Sequence, residues 1–303
     1  MKITNFLALG ICLLFGSCTM QKSTVQVNDK GTEWEWNKGT IVVKTPERPA
    51  GQESVIGLAL PKMEVVRVGF VGLGMRGPGA VSRFTYIPGT QIVALCDYEK
   101  ERAEKCQKYL KEASLPKAAV YSGDKGYEEL CKRDDIDLVY IATDWLHHFP
   151  VAKCALENGK NVAIEVPSAM NLKECWELVD LSEKNRKHCM ILENCCYDWF
   201  GVFGEVIRAQ GAYIHNLAPF WKHYWKKGED DKLGWRLDYN MRHRGDVYAT
   251  HGLGPVAQAL NIHRGDRMET LVAMDTKSVV GKDLVKENAD SVCNSFRNGD
   301  HTT

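Results

Sequence analysis

An α/β fold built on a doubly wound parallel sheet is what this sequence predicts, on three observations. Strand-like apolar runs alternate with helical patterns from residue 65 to residue 195. The strand candidates are nearly continuous in apolar residues, as in Ile136-Asp137-Leu138-Val139-Tyr140-Ile141-Ala142, the pattern of strands covered on both faces by helices. The first strand runs straight into Gly72-Leu73-Gly74-Met75-Arg76-Gly77, a G-x-G-x-x-G turn at a strand-to-helix junction.

The elements follow in chain order. Residues 1–17 have the makeup of an export signal: Met1-Lys2 is a short basic start, Phe6 to Phe15 is apolar, and Gly16-Ser17 are small. The apolar run is too short for a membrane span. Cys18 directly after the small residues resembles a bacterial lipobox, so a lipid on Cys18 is expected to be the only membrane attachment. No twin-arginine pair is present, which points to the general secretion route. The expected location is the bacterial cell envelope, lipid-anchored, periplasmic or surface-facing. Residues 18–64 are polar, with Thr40-Ile41-Val42-Val43 as the one strand candidate, and form a tether and N-terminal arm.

Residues 65–195 carry strand candidates at 65–71, 91–96, 118–121, 136–142, 161–166 and 189–192. Helical patterns lie between them at 77–86, 99–113, 124–132, 147–158 and 171–187. This is a Rossmann-type dinucleotide-binding domain. Gly72 permits the tight turn, Gly74 lets backbone N–H groups approach a pyrophosphate, and Gly77 lets the helix pack on the strand. Asp97 ends the second strand, where a carboxylate grips the ribose and repels a 2′-phosphate, so NAD is expected over NADP. The bland alternative is a glycine-rich connection with Asp97 as a helix cap. Ligands on such sheets bind at the carboxyl ends of the strands. Those ends are Asp97, Thr143 to His148, Glu165-Val166-Pro167 and Glu193-Asn194.

Residues 196–303 form a second, substrate domain. Aromatic residues crowd in: Tyr213, Phe220, Trp221, Tyr224, Trp225, Trp235, Tyr239 and Tyr248. Such surfaces suit the C–H faces of sugar rings, and equally ordinary packing. Glu205 to His215 alternates like a half-buried strand. The domain is expected to be α+β with an open, mostly antiparallel sheet, incomplete because the chain stops at Thr303 while that sheet is being built.

Bulk composition narrows the partners. Lys+Arg and Asp+Glu balance at 39 each, which argues against nucleic acid or an anionic membrane surface. A small-molecule substrate is left, and homo-oligomer formation stays open. Of the 11 cysteines, Cys96, Cys106, Cys131, Cys154, Cys175 and Cys189 fall in predicted elements, as small buried hydrophobes do. No C-x-x-C occurs, and no metal site is expected.

The glycine turn, the E-x-P of Glu165-Val166-Pro167, and Gly245-Asp246 with His251 downstream resemble the glucose–fructose oxidoreductase / inositol dehydrogenase superfamily. The strings GFVGLGMRGPGAV (69–81), DDIDLVYIATDW (134–145), ENCCYD (193–198), GAYIHNL (211–217), WRLDYN (235–240) and THGLGPVAQ (250–258) look more closely like glycoside hydrolase family 109. That family comprises bacterial NAD-dependent glycosidases acting on α-N-acetylgalactosaminides. The resemblance implies that NAD is held by the glycine turn with Met75 and Arg76, by Asp97, by Trp145, Leu146, His147 and His148, and by Glu165, Val166 and Asn194. It implies substrate contacts from Tyr213, Arg236, Tyr248, Ala249, Thr250 and His251. Tyr213, Tyr248 and His251 are the candidate catalytic acid/base groups.

Two departures inform this reading. Val166 stands where sugar dehydrogenases of the superfamily carry a lysine. Between Phe200 and Gly201 the family has a helix that this chain lacks. The chemistry implied is transient oxidation at C3, elimination across C1–C2, addition of water and re-reduction. The alternatives are a periplasmic sugar dehydrogenase with net NAD turnover and an inactive sugar- or dinucleotide-binding fragment. Each candidate also has a bland reading: His147 and His148 as polar residues opening a helix, Glu165 as a partner for backbone groups, Arg236 as a surface ion pair, and His251 as a polar residue leading into the helical Pro255–Leu260. For His215 the active-site and structural readings are even.

Overall fold

The computed structural model describes residues 26–27, 33–38, 40–43, 46–197, 206, 208–214, 235–236, 239 and 248–274. The signal segment, Cys18, His215 and residues 275–303 lie outside these, as does the stretch around Phe200.

A small antiparallel sheet opens the chain: β1 (Gln26–Val27), β2 (Glu33–Asn37) and β3 (Thr40–Val43), in that order. The expected strand at 40–43 is present, but it has a partner that the local pattern does not reveal. Trp36 pairs with Ile41 and Asn37 with Thr40, around a turn in which Lys38 has φ 47°. Farther on, the arm is docked. Arg48 forks onto Asp180 and Glu183, and Gln52 donates to the Asp180 carbonyl at 2.5 Å.

The main sheet has six parallel strands: β4 (Val66–Val71), β5 (Thr90–Asp97), β6 (Ala119–Ser122), β7 (Leu138–Ile141), β8 (Asn161–Ile164) and β9 (Cys189–Ile191). Their order is β6-β5-β4-β7-β8-β9. The connecting helices are α1 (Gly77–Phe84), α2 (Lys100–Glu112), α3 (Gly126–Cys131), α4 (Trp145–Glu157) and α5 (Leu172–Asn185). This is the doubly wound arrangement the sequence predicts. The chain leaves β4 in one direction through β5 and β6, then crosses back to β7 on the other side, so the carboxyl ends of β4 and β7 flank the switch point where such sheets bind ligands.

Successive side chains of a strand point to opposite faces, so the sheet carries two cores. Phe70, Leu95 and Tyr140 pack with Ala80, Val81, Ala103 and Leu110 on one face. Val71, Val139, Ile141 and Ile164 pack with Leu130, Val151, Leu156 and Leu178 on the other. Each large side chain taken fully out of water contributes about 1.5–3 kcal/mol. Phe70 stacks on Tyr140 with ring centroids 5.1 Å apart, and Phe84 meets both edge-on. Asp137 at the β7 entry takes Arg67 in a two-pronged ion pair, Nη2 to Oδ1 at 2.7 Å and Nε to Oδ2 at 2.8 Å.

Beyond residue 197, the described residues Trp235, Arg236 and Tyr239 are helical, and α6 (Ala249–Ala259) follows. It begins six residues before the expected helical start at Pro255. The expected strand at 205–215 is corrected: residues 208–214 are neither helix nor strand. Alternation is a local pattern and does not by itself fix what a segment packs against. Here Gly211 is taken up by α6 instead, where a Cβ would come within 2.2 Å of the Gly252 carbonyl oxygen. The expected burial of cysteines holds for Cys96, Cys106 and Cys131. Cys175 is exposed on α5, while Cys154 and Cys189 are half-buried. Among the described residues no helix is long and apolar enough to cross a membrane.

Candidate functional site

The glycine turn lies between the ends of β4 and β7. Gly72 has φ +90°, and a Cβ there would meet the Ala142–Thr143 peptide at 2.5 Å. A Cβ on Gly77 would lie 2.1 Å from the Gly72 oxygen, so this glycine closes the turn on itself. Gly74 differs. A Cβ there would meet only the tip of Arg102, at 3.7 Å, so its side opens onto free space that a ligand backbone can enter. α1 starts directly after, and no side chain caps its first turn. A helix start of this kind offers N–H groups and positive dipole to an anion. A pyrophosphate fits here, and Met75 and Arg76, both with exposed side chains, stand beside it.

Asp97 is buried at the end of β5. Its Oδ2 accepts Leu73 N–H at 2.6 Å and its Oδ1 accepts Glu99 N–H at 2.9 Å. The cap position of α2 belongs to Glu99, not Asp97. Asp97 therefore braces the glycine turn itself. Arg102 Nη1 lies 3.7 Å from Asp97 Oδ1.

Glu165 follows β8 and is buried. It accepts the Tyr140 hydroxyl at 2.8 Å and faces Arg76 Nη2 at 3.8 Å across the sheet end. Burial and then the Glu165 charge push the Tyr140 hydroxyl well above the ordinary phenol range, so it stays a donor. The bland reading of Glu165 as a partner of backbone groups is thus replaced by a side-chain pair. Tyr140 is a residue that sequence reasoning misses. A tyrosine inside an apolar strand reads as core until its hydroxyl is seen to need a partner.

The segment after β7 starts α4 two residues earlier than expected, at Trp145. Asp144 caps it, accepting Leu146 N–H at 2.9 Å and pairing with His147 Nδ1 at 2.7 Å. Burial pushes the Asp144 carboxyl up, but His147 and two backbone N–H groups carry it below the usual range; Asp144 in turn raises His147. Leu146 and His147 are exposed at this end of the sheet. His148 is buried, with Nδ1 2.6 Å from the Pro167 oxygen and Nε2 3.1 Å from the Thr143 oxygen. Burial lowers its pKa more than the two carbonyls raise it, and each ring nitrogen faces a carbonyl that can accept from it. His148 thereby ties the Val166-Pro167 loop to α4, and its side chain presents no open face.

Trp145 is also buried, and it joins the two halves of the site. Trp235, Tyr239 and Tyr248 meet its rings edge-on at 4.8, 5.3 and 5.6 Å. The Arg236 guanidinium lies over Trp145 and Tyr248, at 5.4 and 5.7 Å. From there the cluster reaches the three acid/base candidates. The His251 ring stacks on Tyr248 at 5.5 Å and lies 4.6 Å from Tyr213, and the two tyrosines are 5.7 Å apart. The Arg236 guanidinium is thus held against aromatic faces at the centre of the cluster.

Ala249, Thr250 and His251 open α6, which is an unpromising helix on propensity. It contains Gly252, Gly254 and Pro255, and a helical glycine costs about 1 kcal/mol against alanine. The glycines serve close approach. A Cβ on Gly254 would sit 2.9 Å from Cys196 Sγ and 3.2 Å from Glu193 Cγ. This seats the start of α6 on the chain after β9. There Glu193 accepts His251 Nδ1 at 2.8 Å and the Thr250 hydroxyl at 2.6 Å. Asn194 is exposed next to it, in a short 3-10 turn (Asn194–Tyr197). Glu193 stands at a strand end where ligands bind, but sequence alone could not give it a partner 58 residues away. Glu193, Cys195 and His251 also place potential metal-ligand atoms within 4.8 Å of one another. No metal site is expected from the sequence. Both Glu193 oxygens here accept hydrogen bonds from protein groups.

Comparison with known proteins bears on both halves. Residues 66–193 match the model of the oxidoreductase family, NAD-binding Rossmann fold, and residues 185–303 match that of the glycosyl hydrolase 109 C-terminal domain. Glycosyl hydrolase family 109 proteins 4 and 5 of Phocaeicola vulgatus are each 76% identical, over 100% and 99% of this chain. A family 109 protein of Bacteroides thetaiotaomicron is 61% identical over 87% of the chain. The chain spans 60% of the length of the first two relatives and 57% of the third. Among solved structures, myo-inositol dehydrogenase from Lactobacillus casei with NAD(H) and myo-inositol is 28% identical, covering 44% of this chain and 37% of its own, with a TM-score of 0.38. The dinucleotide of the N-terminal domain is NAD, which the open Gly74 face and uncapped α1 fit.

Proposed function

The chain belongs to glycosyl hydrolase family 109, and from that premise we propose that it hydrolyses α-N-acetylgalactosaminides with NAD as a recycled cofactor. The observation that carries this reading is one continuous arrangement. The glycine turn abuts Ala142-Thr143, Trp145 follows, and Tyr248, His251 and Tyr213 cluster beyond it.

Gly72, Gly74 and Gly77 with the start of α1 would hold the pyrophosphate, Asp97 the adenosine ribose, and Trp145 to His147, Glu165, Val166 and Asn194 the remainder, with His148 bracing the Val166-Pro167 loop from behind. When bound, NAD supplies a reversible oxidation at C3 of the sugar, which makes the neighbouring C2 proton acidic. Proton handling falls to the chain. His251, Tyr248 and Tyr213 carry the titratable atoms of the cluster, to take the C2 proton and protonate the departing C1 oxygen. Arg236 and the Tyr248-to-His251 run line the sugar. No pair of carboxylates flanking the glycosidic bond is needed, unlike in ordinary glycosidases. Val166, lacking the lysine of the sugar dehydrogenases, suits a cycle with no net oxidation.

The test is hydrolysis of a nitrophenyl α-N-acetylgalactosaminide with NAD in deuterated water. Nitrophenol release, deuterium at C2 of the product and no accumulating NADH are expected. Stoichiometric NADH with an oxidised sugar would make the protein a dehydrogenase instead. We further propose an envelope lipoprotein anchored through Cys18, on the strength of residues 1–18. Replacing Cys18 by serine should then release the protein from the membrane fraction.

A further inference from the structure

We propose that Glu193 is the residue that positions His251, locking its ring in the Nδ1–H tautomer so that Nε2 is the atom available for proton transfer. The inference rests on the reading of His251 as a proton-handling group. Neither side chain is open to bulk water: His251 is 9% exposed and Glu193 4%. Glu193 Oε1 lies 2.8 Å from His251 Nδ1 and also accepts Cys195 N–H at 2.9 Å, while Oε2 accepts the Thr250 hydroxyl at 2.6 Å.

The chemistry of the donors decides the tautomer. Burial pushes the Glu193 carboxyl up, but the Thr250 hydroxyl, His251 and the Cys195 N–H together hold it below the usual carboxylate range. An ionised carboxylate only accepts, so His251 Nδ1 is the donor. A neutral ring then carries its lone pair on Nε2. The other groups around the imidazole are the Cys195 thiol, 3.9 Å from Nδ1, and the rings of Tyr213 and Tyr248. Among the described residues none of these is a second carboxylate that would hold the opposite tautomer. The seating is also sterically specific, because Gly254 leaves the room in which Glu193 reaches the first turn of α6.

A carboxylate that merely anchored α6 would predict the same contacts, so the test must read the ring. Nitrogen-15 NMR of the imidazoles, with His251→Ala to assign the signal, should show His251 protonated on Nδ1. In Glu193→Ala the signal should move toward the Nε2–H form that free imidazole prefers. Glu193→Gln can keep the geometry. Its amide oxygen can accept from Cys195 and His251, and its N–H can donate to the Thr250 oxygen. It should therefore retain the tautomer and lose only the charge. Turnover should fall about 10-fold in Glu193→Gln and about 100-fold or more in Glu193→Ala, with NAD affinity unchanged in both. An Nε2–H tautomer in the unmodified protein, or an unchanged signal in a folded Glu193→Ala, overturns the proposal. Full turnover in His251→Ala with the Nδ1–H tautomer intact in the unmodified protein would instead sink the role given to His251.

Discussion

Asp97 accepts the backbone N–H of Leu73 through Oδ2 at 2.6 Å, so the carboxylate ending β5 is tied into the glycine turn that follows β4. One buried charge thus braces the phosphate turn and presents a negative field where an adenosine ribose would sit. The isosteric Asp97→Asn keeps an acceptor for Leu73 and removes that charge. The unmodified protein should bind NAD at least about 10-fold tighter than NADP, since a carboxylate beside a 2′-phosphate is repulsive and poorly solvated. Asp97→Asn should narrow the preference, helped by Arg102 nearby. Fluorescence titrations with both dinucleotides measure it, and equal affinities in the unmodified protein would refute the assignment.

The three glycines of the turn should separate by experiment. Gly77→Ala drives a methyl into the Gly72 oxygen, 2.1 Å from an ideal Cβ. Overpacking of this kind costs about 1–3 kcal/mol, a loss in Tm of roughly 4–10 °C for a domain of this size. Gly74→Ala meets only the Arg102 tip, so it should melt normally and yet weaken NAD binding. If both variants melt alike and bind alike, the open face at Gly74 is not the dinucleotide site.

His251→Ala should lower turnover by about 100-fold or more, the scale of lost general acid–base catalysis, while leaving NAD affinity intact. Steady-state kinetics beside an NAD titration separates the two effects. A matching loss in NAD affinity would mean that the residue supports the cofactor half of the site.

Acid stability should depend on Asp137. The Arg67 hydrogen bonds hold its carboxyl below the usual range against the opposing effect of burial. A carboxylate depressed on folding adds stability that is complete above its unfolded pKa of about 3.9 and disappears as pH falls through the folded value. Melting temperatures should therefore drop as pH goes below about 4. Asp137→Asn should be less stable at neutral pH and lose less on acidification. Parallel pH curves for the two proteins would show that another carboxylate governs acid unfolding.

Thiol labelling should follow burial. Burial, with the Asp97 charge behind it, pushes Cys96 up to about 12 and Cys106 up to about 11. Only thiolates alkylate readily, so both should stay unmodified in the folded protein at mild alkaline pH, while Cys175, also raised by burial but open to the reagent, reacts before them. Mass spectrometry of the alkylated peptides reads this directly, and early labelling of Cys96 would contradict the packing of β5.

Much of the N-terminal half is legible in the amino-acid sequence. Val66 to Val71 announces a buried strand, the glycines announce the turn, and Asp97 sits at the next strand end, because each signal is local and tied to backbone geometry. The boundaries of α4 and α6 are less legible. Capping by Asp144 starts α4 at Trp145, and packing against Glu193 lets Gly252, Gly254 and Pro255 lie in a helix that propensity disfavours. Of the strand expected at 205–215, the described residues 208–214 are not in a strand: alternation is a local pattern, and the neighbour that Gly211 meets is a helix.

By itself the sequence determined the parallel sheet, its dinucleotide turn and the residue types of a proton-handling cluster, since period, glycine spacing and charge act over a few residues. Only the tertiary structure decided the roles. It turned His148 inward onto Pro167, gave Glu165 to Tyr140, stacked Arg236 on Trp145 and set Glu193 against His251. Each of those partners is far away in sequence or on a different element. Which group a buried polar atom finds is settled by the packing that removes water from around both.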